Sequence, residues 1–231
     1  MSTNHEAGLP SAWRRRLYLP AYAVSDAARY AQVHPTTVSY WHHRGGQLGP
    51  ALPGKERRTP LNYFQLVEVA FVSTFRRLGV SLQRLRKAHS YLAQAFNAEY
   101  PFANYRLVTE GVHVLMELQE VEQDRQLGQL IVTDENGQTA WREAIGKRFA
   151  EFDYESDVAL IWHVRGRGSL VVIDPRVSFG APMVKGVPTW VLKGRHSAGE
   201  TPEEIAEDFG LTTAELRDGL RFEGVKLKEA A

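Results

Sequence analysis

The stretch that most constrains this chain is Val24 to Arg44, VSDAARYAQVHPTTVSYWHHR, which holds two short helical patterns separated by only a few residues. Ser25 is placed to act as N-cap of the first, in which Ala27, Ala28 and Ala31 recur at helical spacing. Val33 closes the turn. His34-Pro35 restarts a helix, because proline has no N–H to lose at the first helical position and its fixed φ already suits the helix. Val38 and Trp41 then share one face and pack on the alanines, which leaves Thr36, Thr37, Ser39 and Tyr40 outside. Short hydroxyl and aromatic side chains on the N-terminal half of such a second helix are of the kind that reach base edges in a major groove. A plain pair of packed helices is the alternative to this helix-turn-helix reading.

The continuation favours nucleic acid. A Gly/Pro-rich loop, residues 45–60, carries Lys55, Glu56, Arg57 and Arg58, and is followed by PLNYFQLVEVAFVSTFRRLGVSLQRLRK. In the first helix after the loop Leu61, Phe64, Val67, Phe71 and Phe75 keep helical spacing as far as Gly79. Ser81 caps the next helix, whose stripe is Leu82, Leu85, Ala88, Leu92 and Phe96. With its paired alanines, closing tryptophan, basic loop and RRLGVSLQRLR run, the segment 18–98 resembles the winged-helix DNA-binding domain of MerR-type regulators. The resemblance implies a wing over residues 45–60 and DNA contacts from Thr36, Thr37, Ser39, Tyr40, Arg44, Lys55, Arg57 and Arg58. Those regulators continue into a long dimer-forming helix, whereas this chain meets Pro101 after about four turns, so the coiled coil and effector sensing of that family do not carry over.

At 231 residues the chain has room for two or three small domains, each burying a core. The absence of cysteine removes disulfides, thiolate metal sites and thiol chemistry. Neither the apolar core of a signal peptide nor a run approaching ~18 apolar residues is present, which gives the expectation of a cytoplasmic protein without a membrane partner. The formal net charge of +1 hides a division. Between Trp13 and Arg58 eight basic residues face two acidic ones, and between Glu200 and Glu223 eight acidic residues face two basic ones. One end suits phosphate and the other repels it. Residues 1–17, with Arg14, Arg15 and Arg16, form either a basic arm on the DNA backbone or a solvated tail.

The segment 99–172 reads as a small α+β unit. Tyr105 to Leu118 has two β-prone arms about Thr-Glu-Gly, and Gln129 to Thr133 is a further strand candidate. Trp141, Ile145 and Phe149 mark one helix face, and FDY, ALIWHV and LVVI read as short strands. In the segment 173–224, Thr201-Pro202-Glu203-Glu204 is a capping box with proline at the first helical position, and Thr212 with Glu215 is a second. Together with a helix from Thr189 to Ala198 they give a trihelical, helix-turn-helix-like domain. The expected fold class is α+β and predominantly helical: an N-terminal winged helix, the α+β middle unit and this trihelical end, with residues 225–231 as a tail.

Ile173-Asp174-Pro175, Gly180-Ala181-Pro182, Lys185-Gly186 and Gly199-Glu200-Thr201-Pro202-Glu203-Glu204-Ile205-Ala206 resemble an antitoxin domain of the VapB-like class, encoded beside PIN-like ribonuclease toxins. The chain departs from that pattern between Gly186 and Pro188, where Val187 stands alone without the family's Thr-Arg pair. The resemblance implies an antitoxin that binds operator DNA, represses its own operon and neutralises a PIN-like ribonuclease, as a homodimer on DNA. Glu203, Glu204, Glu207 and Asp208, with Lys226 and Lys228 on the tail, are the candidate toxin contacts, since acidic faces suit a basic RNA groove. A regulator whose middle unit senses a small molecule is the other reading.

Catalytic chemistry is not expected. His42 and His43 are adjacent and diverge by about 100° on a helix. His113 and His163 fall in expected strands without a carboxylate at ligand spacing, and Asp134-Glu135-Asn136-Gly137 reads as a turn rather than part of a cation site with Asp153 and Asp157. Phosphate-binding glycine loops, nucleophile elbows and HExxH motifs are missing, so neither a cofactor nor a metal is implied.

Overall fold

The computed structural model describes residues 12–43, 49–52, 54–56, 58–104 and 135–227, with the side chains of residues 12 and 135–142 excepted. In chain order the helices are α1 (Ala12–Arg16), α2 (Val24–Ala31), α3 (Pro35–His43), α4 (Tyr63–Arg77), α5 (Leu82–Ala95) and α6 (Glu135–Ala150). A five-stranded antiparallel sheet follows in the order β1 (Phe152–Glu155), β2 (Val158–His163), β3 (Val172–Ile173), β4 (Pro182–Val184) and β5 (Val187–Pro188), and then α7 (Thr189–Ser197), α8 (Pro202–Phe209) and α9 (Thr213–Phe222). The architecture is α+β and predominantly helical. The hairpin expected at 105–118 and the strand at 129–133 lie outside the described residues.

Helix α4 is the axis. Asn62 caps it, accepting from Gln65 N–H at 2.8 Å while the Gln65 side chain accepts from Asn62 N–H at 3.0 Å. Periodicity predicts one apolar stripe, but every residue from Tyr63 to Phe75 is buried, because α2, α6, the sheet and the 3-10 turn Pro101–Ala103 surround the helix. Phe71 stacks on Phe152 with ring centroids 5.4 Å apart, and Phe152 stacks on Trp162 at 5.5 Å, carrying one aromatic column from α4 into the sheet.

Such a helix requires partners for its polar groups. Glu68, fully buried, accepts from His89 Nε2 of α5 at 3.1 Å and from the Phe102 N–H at 3.2 Å. Thr74 accepts from Arg148 Nε at 2.7 Å, Arg148 pairs with Glu151, and the Trp162 indole donates to Glu151 at 3.1 Å. Tyr63 Oη donates to the Leu160 carbonyl at 2.7 Å.

Several local expectations change. The first helix starts at Val24 after Ala23, so Ser25 is not its cap: the chain is held extended as far as Tyr22 by a bridge to Leu61 and turns helical directly on leaving it. Gln32, in the left-handed region at φ 57°, closes the turn one residue before Val33. Glu135 to Gly137 belong to α6 rather than to a turn, and Asp134 lies outside the described residues. Strand β4 and the β4–β5 hairpin have too few residues to show alternation. Lys185 (φ 46°) and Gly186 (φ 83°) make its two-residue turn between Val184 and Val187, so the single residue before Pro188 is accommodated by a tight hairpin.

The C-terminal helices form as their caps predict, with Thr201–Glu204 and Thr212–Glu215 both closed as capping boxes. Leu192, Ile205, Leu211, Leu216 and Leu220 supply their core. Gly219 sits where a Cβ would come within 2.8 Å of Leu192, so glycine allows α9 to lie close on α7.

This end does not stand apart from the helix-turn-helix. Arg29 of α2 donates to the Phe222 carbonyl at 3.2 Å and pairs with Glu223 at 3.4 Å, and Tyr30 packs on Phe222 at 5.7 Å. Tyr22 is buried with its hydroxyl against Gly180, where burial, then Tyr30 and Asp174, push the phenol well above its usual range. Gly180 has φ 75°, and an added Cβ would lie 2.0 Å from Tyr22 Oη. Gly180→Ala combines left-handed strain with overpacking, and is expected to cost about 2–4 kcal/mol in denaturant unfolding. An unchanged midpoint would mean that this contact is loose.

Candidate functional site

The side chains singled out for DNA meet in one place. Thr36, Thr37, Ser39 and Tyr40 of α3, with Lys55 and Arg58 of the following loop, line a groove of about 1140 Å³ together with Ser25, His43, Arg76 and Leu82. Arg44 and Arg57 lie outside the described residues. The groove exists because α3 is anchored from behind: Val38 and Trp41 are buried, as expected, against the alanines of α2. His42 is buried beside Trp41 while His43 faces outward, so the two histidines diverge.

The N-terminus of α3 is capped by an imidazole. His34 Nδ1 accepts from the Thr36 N–H at 3.3 Å and lies 2.8 Å from the Thr36 hydroxyl.

The wing shows no strand pairing among its described residues. Instead Ala51 and Leu52 are buried and donate their N–H groups to the Trp41 carbonyl, tucking the loop under the end of α3. Lys55 Nζ bonds the carbonyls of Thr59 at 2.5 Å and Glu56 at 3.1 Å, and partial burial lowers its pKa. Its amine therefore shapes the loop as well as charging it. Arg58 is exposed, with a left-handed backbone at φ 67°, and has no ion pair among the described residues. Arg76 was not singled out from the sequence. The available signal was the Arg76-Arg77 pair just before Gly79, which places cations at the C-terminal end of α4, where its guanidinium holds the Val80 carbonyl at 2.6 Å.

Three of the N-terminal arginines are engaged elsewhere. Arg14 pairs with Glu155 at 3.7 Å, Arg16 donates to the Arg176 carbonyl at 3.1 Å, and Arg29 holds Glu223. Only part of the N-terminal positive charge is thus left to meet phosphate.

The acidic end is also partly committed. Glu204 closes its capping box, which holds its carboxyl below the usual range, and Asp208 pairs with Arg195 at 2.6 Å. Glu215 bonds Lys185 at 2.8 Å, and Asp218 accepts from Ser169 Oγ and from the Leu170 N–H. Glu203 and Glu207 remain exposed on α8. The start of the tail is anchored: Val225 and Leu227 are half-buried against the core, and the Val225 N–H reaches the Leu220 carbonyl at 3.0 Å. Lys226 is exposed between them, and Lys228 lies outside the described residues. His163 does meet a carboxylate, Asp153 of the paired strand at 3.1 Å. Burial raises the Asp153 carboxyl, but hydrogen bonds from Arg167 and His163 outweigh it and hold the group below its usual pKa, with Arg167 standing where a cation would. Cross-strand pairing, not sequence spacing, made that contact.

Residues 22–92 match the MerR HTH family of regulatory proteins, and residues 171–222 match a protein of unknown function, DUF433. The chain is 26% identical over 226 residues to the Mycobacterium tuberculosis protein named "Putative antitoxin VapB45", covering 89% of this chain and 94% of that protein. Its fold is similar to the X-ray crystal structure of Rv2018 from Mycobacterium tuberculosis, with a TM-score of 0.67 at 24% identity, over 87% of this chain and 98% of that one. Most of the residues that line the N-terminal groove thus lie in the segment that matches the MerR HTH family.

Two substitutions separate the roles within the groove. If Arg58 touches a phosphate, Arg58→Ala reduces the slope of log affinity against log salt by about 1 on any DNA sequence. Tyr40→Ala instead reduces discrimination between cognate and scrambled duplex by about 1–3 kcal/mol, read from competition binding. Equal weakening on both duplexes would remove Tyr40 from base reading.

Proposed function

We propose that this chain is the antitoxin of a type II toxin-antitoxin pair, which binds and neutralises a PIN-like ribonuclease and represses its own operon through the N-terminal helix-turn-helix. The observation that carries the DNA half is the convergence of hydroxyl, aromatic and cationic side chains from α3, the wing and α4 on one open groove. Hydroxyls and Tyr40 suit base edges, and Arg58 and Arg76 suit phosphate. The antitoxin half draws support from likeness to the mycobacterial protein of that name across most of both chains.

Repression in this reading is by a homodimer, with one groove presented to each half-site. Helix α5 ends at Ala95, after which Asn97 turns at φ 49° and Pro101 opens a 3-10 turn, so the dimer contact is made by other surfaces than a continued α5. Footprinting is expected to protect two half-sites with centres about one helical turn, or a multiple of it, apart. A single asymmetric half-site would contradict the dimer.

Co-expression with the ribonuclease encoded by the adjacent reading frame tests the antitoxin half. Growth arrest by the ribonuclease alone, relieved by this chain, is the expected result. Arrest that persists despite a soluble, DNA-binding antitoxin chain would refute it.

A further inference from the structure

We propose that the knuckle Val177–Gly180, led by Phe179, is the anchor with which this chain docks on its protein partner, and that the partner presents an apolar cup with a carboxylate rim. The inference rests on the antitoxin reading for the partner's identity, the ribonuclease, and moves the contact away from the acidic helix α8. Phe179 is 75% exposed, the largest value among the exposed large apolar side chains of the described residues. Val177 beside it is 40% exposed.

The backbone that presents this ring is held in an unfavourable conformation. Ser178 at φ 45° and Phe179 at φ 53° are consecutive non-glycine residues in the left-handed region. The loop is nevertheless closed tightly on itself, through Val177 N–H to the Asp174 carbonyl at 3.0 Å, Gly180 N–H to Val177 at 2.9 Å and Ala181 N–H to Ser178 at 3.1 Å. Asp174 also takes the Arg176 N–H at 2.9 Å, and Gly180 is wedged against Tyr22. A strained turn that leaves a phenyl ring largely in water gains only the Arg16 contact from that ring. A pre-organised aromatic that loses little freedom on docking is, by contrast, what an interface anchor requires.

Charge decides the chemistry of the occupant. The Arg16 guanidinium lies over the Phe179 ring at 5.2 Å. A cation on an apolar anchor complements a carboxylate on the rim of the opposing pocket. Single-stranded nucleic acid fits less well. One face of Phe179 is taken by Arg16, and the neighbouring Arg14 and Arg176 are paired with Glu155 and Asp174, which leaves too little free positive charge to track a phosphate chain.

The test measures the affinity of the full chain for the purified adjacent-frame ribonuclease, with operator DNA binding as the check on folding. Phe179→Ala is expected to weaken ribonuclease binding about tenfold or more while keeping wild-type affinity for DNA, and wild-type ribonuclease binding is expected to weaken as salt rises. Wild-type binding that Phe179→Ala leaves unchanged overturns the knuckle and leaves the antitoxin reading standing. No binding by the wild-type chain overturns both. Loss of affinity for a single-stranded RNA oligonucleotide in Phe179→Ala, with ribonuclease affinity unchanged, would assign the knuckle to nucleic acid and overturn the proposal.

Discussion

Burial of α4 on every side is the constraint from which the rest of the molecule follows. A fifteen-residue helix with no solvent face until Arg76 needs apolar neighbours all round and a hydrogen-bond partner for each polar group it carries inside. The helix-turn-helix covers one side, α5 and the 3-10 turn another, and α6 with the sheet a third. Glu68, Thr74 and Tyr63 then tie the helix to α5, α6 and β2 respectively. The groove thus stands on a helix whose far side is the core of the α+β unit. Anything that repacks the sheet reaches the base of α3 through α4 and α2.

The distribution of charge acquires a different meaning in three dimensions. Arg29 pairs with Glu223, so the basic and acidic ends of the sequence meet at one ion pair, while Arg14 reaches Glu155 of the sheet and Arg16 the Arg176 carbonyl. Pairs this exposed contribute little stability individually. Their value lies in orientation, since with Tyr22 against Gly180 they fix α2 on the C-terminal unit while the groove along α3 stays open.

Local signals were legible wherever one residue's chemistry decides the backbone. The two threonine capping boxes, Pro35 and Pro202 opening their helices, and Ser81 capping α5 all stand where the sequence puts them. Six of the eight residues assigned to DNA line one groove because helix periodicity had already put them on a common face or in the adjoining loop. What could not be read depends on distant partners. Periodicity has no way to show that α4 is buried all round, that Ser25 loses its capping role to a Tyr22–Leu61 bridge, or that Asp208 faces Arg195. Short strands such as β4 carry too few residues for alternation to register. Phe179 is apolar in the sequence and would be assigned to a core, and only the left-handed turn turns it outward.

In the reading proposed here the face formed by α3, the following loop and Arg76 meets duplex DNA, and the C-terminal unit with its Val177–Gly180 turn stays free for a protein. Backbone amide hydrogen exchange on the full chain, with and without the operator duplex, tests it directly. Added protection is expected only in residues 34–43 and 54–60 and at the end of α4, with α7, α8 and α9 unchanged. Protection on α8 and α9 with none on α3 would contradict it.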